Sequence, residues 1–288
     1  MNQRNVIRYL IRKVLSIHKN ETIEDGLARK QKQILRKLPH KEYTESQLRE
    51  DLVDIGIMKG DTVIVHSSWR GMYALSSSPY SFLDILLDAI GDDGTIVLPC
   101  YGSKDEIFDP NNTKSSVGIL SEILRNRPGS IRSVFPKFSM VAYGKNAGNI
   151  IREHEKSKYQ FDIYSPYYIA THTYNAKILL VGMGKTTHKI SVFHCATYMN
   201  KDTIPFYQSC FLKKCTLPIV KDGKRIEFDF IDRTEGVRNN KRAFLRLFKK
   251  VPRKNIIHPG YSLVLFNALD AYDIAYDFCS NGGKLYKY

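Results

Sequence analysis

The chain is poor in cysteine and has no paired cysteine motif. Cys100, Cys195, Cys210, Cys215 and Cys279 are an odd, scattered set with no C-x-x-C spacing. That excludes a disulfide framework and a structural zinc site, and no metal is expected. A reducing, cytoplasmic setting suits such usage. Apolar runs of about 18 residues are lacking, so no membrane-spanning helix is expected. The N-terminus has no apolar segment followed by a small-residue cleavage site, so it does not read as a secretory signal. Acidic residues are scarce, 29 Asp and Glu against 44 Lys and Arg, leaving a formal net charge of +15. No RNP-like, zinc-finger or KH motif accompanies that charge, and nucleic acid is not an expected partner.

The charge is unevenly spread. Residues 1–41 hold 11 Lys and Arg against 3 Asp and Glu, about half the excess. Within them Val6, Ile7, Leu10, Ile11, Val14 and Leu15 recur at helical spacing, which predicts one apolar stripe on an amphipathic helix. Such a stripe suits docking on its own domain, self-association into a homo-oligomer, or peripheral contact of residues 1–18 with a membrane. Residues 1–42 therefore read as a basic helical arm and connector, and residues 43–288 as the main domain.

That domain opens with Thr44-Glu45-Ser46-Gln47 ahead of Leu48, Leu52, Val53 and Ile55, a capped helix closed by Gly56. The β-branched run Thr62-Val63-Ile64-Val65 predicts a buried strand. Pro79 opens a helix to Ile90, and Thr95-Ile96-Val97-Leu98 forms the next strand. This strand, helix, strand order predicts a parallel α/β unit. Further helices are expected over 117–127, 191–199, 239–250 and 268–279. A strand is expected at 177–182, and antiparallel structure over 206–230 with a turn at Asp222-Gly223.

Three segments invite chemistry. Val181-Gly182-Met183-Gly184-Lys185-Thr186-Thr187 contains Gly-Lys-Thr. A phosphate loop needs G-x-x-x-x-G-K-[ST], and Leu179 stands where its first glycine belongs, so neither an ATPase nor a dinucleotide site is expected. Asn111 to Gly118 gathers hydroxyls where a helix begins, with Ser116 as a plausible N-cap. Gly118 there admits a close approach. His194 falls near the start of a helix, whose positive end favours a neutral imidazole able to accept a proton. A single histidine of this kind is more often structural than catalytic. Cys195 beside it points about 100° away around a helix, which disfavours a thiol nucleophile.

The ordered series resembles the aminoglycoside 3-N-acetyltransferase family over residues 43–270. It runs Val65-His66-Ser67-Ser68, Gly94-Thr95-Ile96-Val97-Leu98-Pro99, Phe108-Asp109-Pro110, and Thr113-x-Ser115-Ser116-Val117-Gly118. Arg127-Pro128-Gly129-Ser130-Ile131-Arg132-Ser133, Pro136-x-Phe138-Ser139, Ala142-x-Gly144, Ser165-Pro166, the run 178–182, and Ser191-x-x-His194-x-Ala196-x-Tyr198 follow. The resemblance implies a single α/β domain with a central mixed sheet flanked by helices. It implies acetyl-CoA (coenzyme A) as donor and a small-molecule amino sugar as acceptor. His66, Ser67, Ser68, Trp69 and Gly71, with Ser115, Ser116, Val117 and Gly118, are expected along the cofactor. Tyr101, Asp109, Thr197 and Arg70 are expected near the acceptor, and His194 is expected as the general base of a direct transfer. Backbone N–H groups near Ser67 to Trp69, or Ser116 to Gly118, are expected to face the oxyanion.

Two positions depart from the family pattern. Thr197 stands where a glutamate usually follows the histidine, and Phe135-Pro136 where His-Pro is frequent. Asp229, Asp232 or Glu235 are expected as replacement carboxylates. The basic chain and the missing acid favour an anionic acceptor. The expectation is a nucleotide-linked amino sugar of surface-polysaccharide synthesis, held by Arg70, Arg127 or Arg132. The alternatives are an aminoglycoside acceptor and a non-catalytic sugar-binding relative.

Overall fold

The computed structural model describes residues 23–35, 39–102, 107–184, 187 and 189–288, with Val6, 12–14 and Ser16. The stripe expected over residues 6–15 lies largely outside the described residues, as do Lys185 and Thr186 of the Gly-Lys-Thr segment. The first described element is helix α1 (Ile23–Leu35).

Local sequence explains most elements of the main domain. Helix α2 (Glu45–Ile55) starts at a capping box, in which Thr44 and Gln47 each accept the other's backbone N–H, and ends at Gly56 with φ 108°. Its Leu48, Leu52 and Ile55 are buried. Strand β1 (Thr62–Ser67) leads to a 3-10 turn at Trp69–Gly71 and helix α3 (Pro79–Ile90), capped by Ser78. Strand β2 (Thr95–Pro99) pairs parallel with β1, as the strand, helix, strand spacing predicts. Helix α4 (Ile119–Arg125) starts two residues later than expected. Its cap is Gly118 at φ 95°, outside helical space, rather than Ser116.

Strands β3 (Ile131–Arg132) and β4 (Met140–Gly144), helices α5 (Ala147–Arg152) and α6 (Pro166–His172), and strand β5 (Lys177–Val181) follow. Helix α7 (Val192–Met199) carries His194. Residues expected to begin an antiparallel segment instead form helix α8 (Pro205–Ser209), opened by its proline. The hairpin proper is β6 (Lys213–Lys221) and β7 (Lys224–Asp232). Its turn residues Asp222 and Gly223 both have positive φ, 51° and 73°, matching the right-handed twist of the strands. Strand β8 (Arg238–Asn239), helix α9 (Lys241–Phe248), strands β9 (Lys254–His258) and β10 (Tyr261–Asn267), helix α10 (Ala268–Ser280) and strand β11 (Tyr286–Lys287) complete the chain.

Seven strands form one mixed sheet in the order β3-β4-β2-β1-β5-β10-β9. Its centre, β2-β1-β5, is parallel, and its flanking pairs are antiparallel. Both faces are covered, which is why the central strands read as continuous apolar runs. Val63, Val65, Ile96, Leu98, Leu179 and Val181 pack with Leu48, Leu52, Phe82, Leu86 and Leu120 of α2, α3 and α4. Ile64, Val97, Ile178 and Leu180 point the other way, toward Ile150, Tyr167, Phe193, Phe244 and Tyr272. The hairpin forms a smaller third cluster, with Ile219, Phe228 and Phe230 against Phe108 and Phe135.

Candidate active site

The three parallel strands all end on the same side, at Ser67, Pro99 and Val181. Ligands of open α/β sheets bind at that side. A cavity of about 740 Å³ lies there, within the range of cofactor and small-molecule sites. Its wall includes His66, Ser67, Ser68, Trp69, Arg70, Tyr101, Val117, Gly118 and His194. A larger depression of about 990 Å³ opens at the opposite edge, around Lys59, Gly94 and Lys145. Among the described residues its wall has no histidine, cysteine or serine, so the chemistry points to the first cavity.

Two glycines fix the first loop. A Cβ on Gly71 would overlap the Gly182 carbonyl, and one on Gly182 would overlap the Ser68 carbonyl. The loop from Ser68 to Gly71 therefore lies directly on the backbone after β5, anchored by Ser68 N–H to Val181 O at 2.8 Å. This accounts for Gly182 as a packing glycine. Gly71 itself lies behind the cavity wall. Trp69 is held by an edge contact with Phe82 of α3, 5.6 Å between ring centroids.

The second loop divides. Val117 and Gly118 line the cavity, but Ser115 and Ser116 do not. Ser116 spends its N–H and its hydroxyl on the Tyr101 carbonyl, at 2.8 and 3.1 Å. Ser115 N–H donates to Glu122 Oε2 at 2.7 Å. These serines shape the loop. Of the backbone N–H groups in the wall, Ser68 is engaged by Val181 and Val117 by Ser115 Oγ at 3.3 Å.

His194 occupies the first turn of α7, half-buried in the cavity wall. Its ring lies between Phe161 and Phe244, at 5.0 and 5.2 Å, and stacks on Tyr286. Its Nδ1 is 2.6 Å from the Tyr286 hydroxyl. Burial first, and the Arg233 charge second, hold its pKa down to about 3, so the ring is neutral. His66, buried and stacked on Tyr167 at 5.8 Å, is also held neutral, at about 4, by burial. Its Nε2 has no hydrogen-bond partner among the described residues. Burial pushes the Tyr101 phenol up to about 12. The Cys195 thiol is fully buried and its pKa is raised by burial, so it offers no thiolate.

Several expected positions stand elsewhere. Asp109 is outside the cavity wall, its carboxylate accepting from Asn111 N–H at 2.8 Å and Asn112 Nδ2 at 2.7 Å. Thr197 is buried behind His194 and bonded to Tyr286. Arg127 pairs with Asp84 at 2.7 Å beside the opposite depression. Arg132 is buried, donating to the Cys100 and Thr113 carbonyls. Neither arginine lines the cavity: Arg127 is held in a surface pair, and Arg132 by buried carbonyls. Asp229 accepts from Thr216 at 2.6 Å, Asp232 pairs with Lys137 and Glu235 is exposed; among the described residues the hydrogen-bond partner of the His194 ring is Tyr286 rather than a carboxylate. Sequence reasoning missed Tyr286, Asn239, Phe161 and Lys189, which lie outside its motifs.

The family model of aminoglycoside 3-N-acetyltransferase matches residues 64–278. The chain belongs to the aminoglycoside 3-N-acetyltransferase family. It is 29% identical over 196 residues to aminoglycoside N(3)-acetyltransferase IV of a Salmonella species, covering 66% of this chain and 70% of that one. It is 26% identical over 210 residues to the aminoglycoside N(3')-acetyltransferase-like protein YokD of Bacillus subtilis, covering 64% and 72%. Solved structures share the fold. Aminoglycoside acetyltransferase AAC(3)-Xa superposes with a TM-score of 0.70 at 21% identity, covering 89% of this chain and 98% of that one. AAC-IIIb, solved as a binary complex with CoASH, superposes with a TM-score of 0.73 at 19% identity, covering 84% and 98%. The mixed α/β sheet of this family member is thus the acetyltransferase fold of its relatives. A nucleotide-linked acceptor finds no support among these relatives, whose names point to aminoglycosides.

Proposed function

We propose that the protein is an acetyl-CoA-dependent N-acetyltransferase that acylates a primary amine of an aminoglycoside-type amino sugar, with His194 as general base. The observation that carries this reading is His194 itself, a neutral imidazole in a cavity at the ends of the parallel strands. The names of the relatives supply the acceptor class and the donor.

The cavity suits a thioester donor. Val65, Trp69, Pro99, Val117, Phe138, Phe161 and Met183 give it apolar walls for a methylene-rich arm. The hydroxyls of Ser67 and Ser68 in the wall suit the amides of such an arm. Bound acetyl-CoA supplies an activated carbonyl whose C–S bond breaks as the amine forms its N–C bond. His194 accepts the proton that the amine nitrogen sheds as that bond forms, when the nitrogen is far more acidic than in the free amine. The N–H groups of Trp69 and Gly118, both in the wall and neither engaged in a hydrogen bond among the described residues, are suited to the developing oxyanion. Residues 43–288 constitute the catalytic domain, and the free thiols of all five cysteines suit a cytoplasmic enzyme.

A second acceptor reading rests on charge. Among the described residues, Arg70 and Lys189 line the cavity and no carboxylate does, which favours a phosphate-bearing amino sugar. One experiment addresses both. Labelled acetyl transfer is measured on an aminoglycoside and on a nucleotide-linked amino sugar, with wild type and His194→Ala. The variant is expected to lose about 100-fold or more in turnover while still binding acetyl-CoA. Near-normal turnover in the variant removes His194 as base, and preference for the nucleotide-linked sugar replaces the aminoglycoside reading with the second.

A further inference from the structure

The residue behind His194 decides which of its nitrogens is the base. Thr197 lies one helical turn on, and its hydroxyl donates to the His194 carbonyl at 2.7 Å. A hydroxyl has one proton, so this bond uses it. The Tyr286 hydroxyl is 2.9 Å from the same Thr197 oxygen. Either hydroxyl could donate across that contact, and with the Thr197 proton on the His194 carbonyl the donor is Tyr286. The Tyr286 proton is now also committed, yet its oxygen is 2.6 Å from His194 Nδ1. Toward that nitrogen it can only accept.

We propose that Tyr286, oriented by Thr197, is a positioning residue that locks His194 in the Nδ1–H tautomer and so leaves the Nε2 lone pair as the base. The opposite tautomer would set the Nδ1 lone pair against a phenol oxygen that has no proton to offer it. The proposal rests on the reading of His194 as general base.

The surroundings hold this chain of bonds in place. Tyr286 is buried, and β11 pairs it with Asn239 of β8, a residue of the cavity wall. Arg233 donates to Asn239 Oδ1 at 2.5 Å and lies over the Tyr286 ring at 5.2 Å. The phenol keeps its proton, because burial raises its pKa and outweighs the opposing Arg233 charge. The stacking of the Tyr286 and His194 rings, 18° from parallel with centroids 5.6 Å apart, fixes the plane of the imidazole. No carboxylate among the described residues takes part. His194 is therefore oriented by neutral groups, and none of the described side chains is an anion placed to stabilise the imidazolium that forms after proton transfer.

The test is nitrogen NMR on histidine-labelled full-length protein, with His194→Gln assigning the signals. Wild type is expected to show a protonated Nδ1 and an unprotonated Nε2 at His194. Tyr286→Phe keeps the ring and removes the acceptor. It is expected to lower kcat about 10- to 100-fold, to leave KM for acetyl-CoA within about twofold, and to give mixed tautomers. Thr197→Val frees the Tyr286 proton to turn toward Nδ1, so its tautomer is expected to reverse. Thr197→Ser restores the wild-type spectrum and rate. An Nε2–H tautomer in the wild type, or an unchanged tautomer in folded Tyr286→Phe, overturns the proposal. Should the variants fail to fold, the wild-type spectrum alone decides. An Nδ1–H spectrum together with full activity of His194→Ala would leave the tautomer assignment standing and remove the base.

Discussion

Two histidines away from the reacting atoms add to the contribution of His194 in how the molecule responds to acid. Burial holds His66 at about 4 and His154 at about 3, both below the ordinary 6.5. The unfolded chain therefore binds protons at these sites before the folded one does, and the linkage sign makes stability rise with pH in that window. Their contribution is complete above pH 6.5 and is lost as pH falls from there to the folded values, about 4 for His66 and about 3 for His154. Each has a slope of up to about 1.4 kcal/mol per pH unit. Urea unfolding of wild type between pH 7 and 4 should show the loss, and His154→Phe, seated on the stacked Phe135 ring, should reduce its slope. At this scale His194 was legible in the sequence through its place in an ordered pattern. Tyr286 was not, because it lies 92 positions away and meets His194 through tertiary structure alone.

Elements turn single residues into a site. The approach of the loop Ser68 to Gly71 onto Gly182 leaves no space for a side chain on either glycine. Gly71→Ala is expected to push this loop off the sheet end, raising KM for acetyl-CoA about tenfold or more with a smaller change in kcat. Steady-state kinetics with varied donor checks this, and unchanged KM would separate the loop from donor binding. Helices with local signals were readable at their ends, as in the Thr44 box and Gly56 stop of α2 or the Pro79 start of α3. The start of α4 was misplaced because Ser116 has the chemistry of a cap but spends its hydroxyl on Tyr101 and Gly102. Strands β4 and β10 went unread, although β10 is buried along nearly its whole length. Their places at the flanks of the parallel core depend on partners distant in sequence.

For the molecule as a whole, the central sheet and the cavity are built from residues after Tyr43, whose N–H is tied to the Ala74 carbonyl at 2.8 Å and whose ring stacks on Tyr261. Removal of residues 1–40 is therefore expected to leave acetyl transfer within about twofold of the full chain. Comparing kcat/KM for the two forms tests this, and a large loss would place the arm in the catalytic unit. The same division weakens whole-chain charge as a guide to the acceptor, since about half of the +15 belongs to those first residues. The architecture was legible because both faces of the parallel strands are apolar and their connections have α/β lengths. The wiring behind the site was not, because its hydrogen bonds join α7 to a strand formed after the last helix.

A base held in one tautomer also discriminates among molecules that visit the cavity without reacting. Under the Nδ1–H assignment, Nε2 of His194 is a fixed acceptor, so an inhibitor should place an amide N–H or an ammonium against it. A carbonyl or ether at the same point would meet lone pair with lone pair and bind more weakly. A pair of otherwise matched compounds differing by that one reversal would be ranked by the hydroxyl of Tyr286, which neither of them touches.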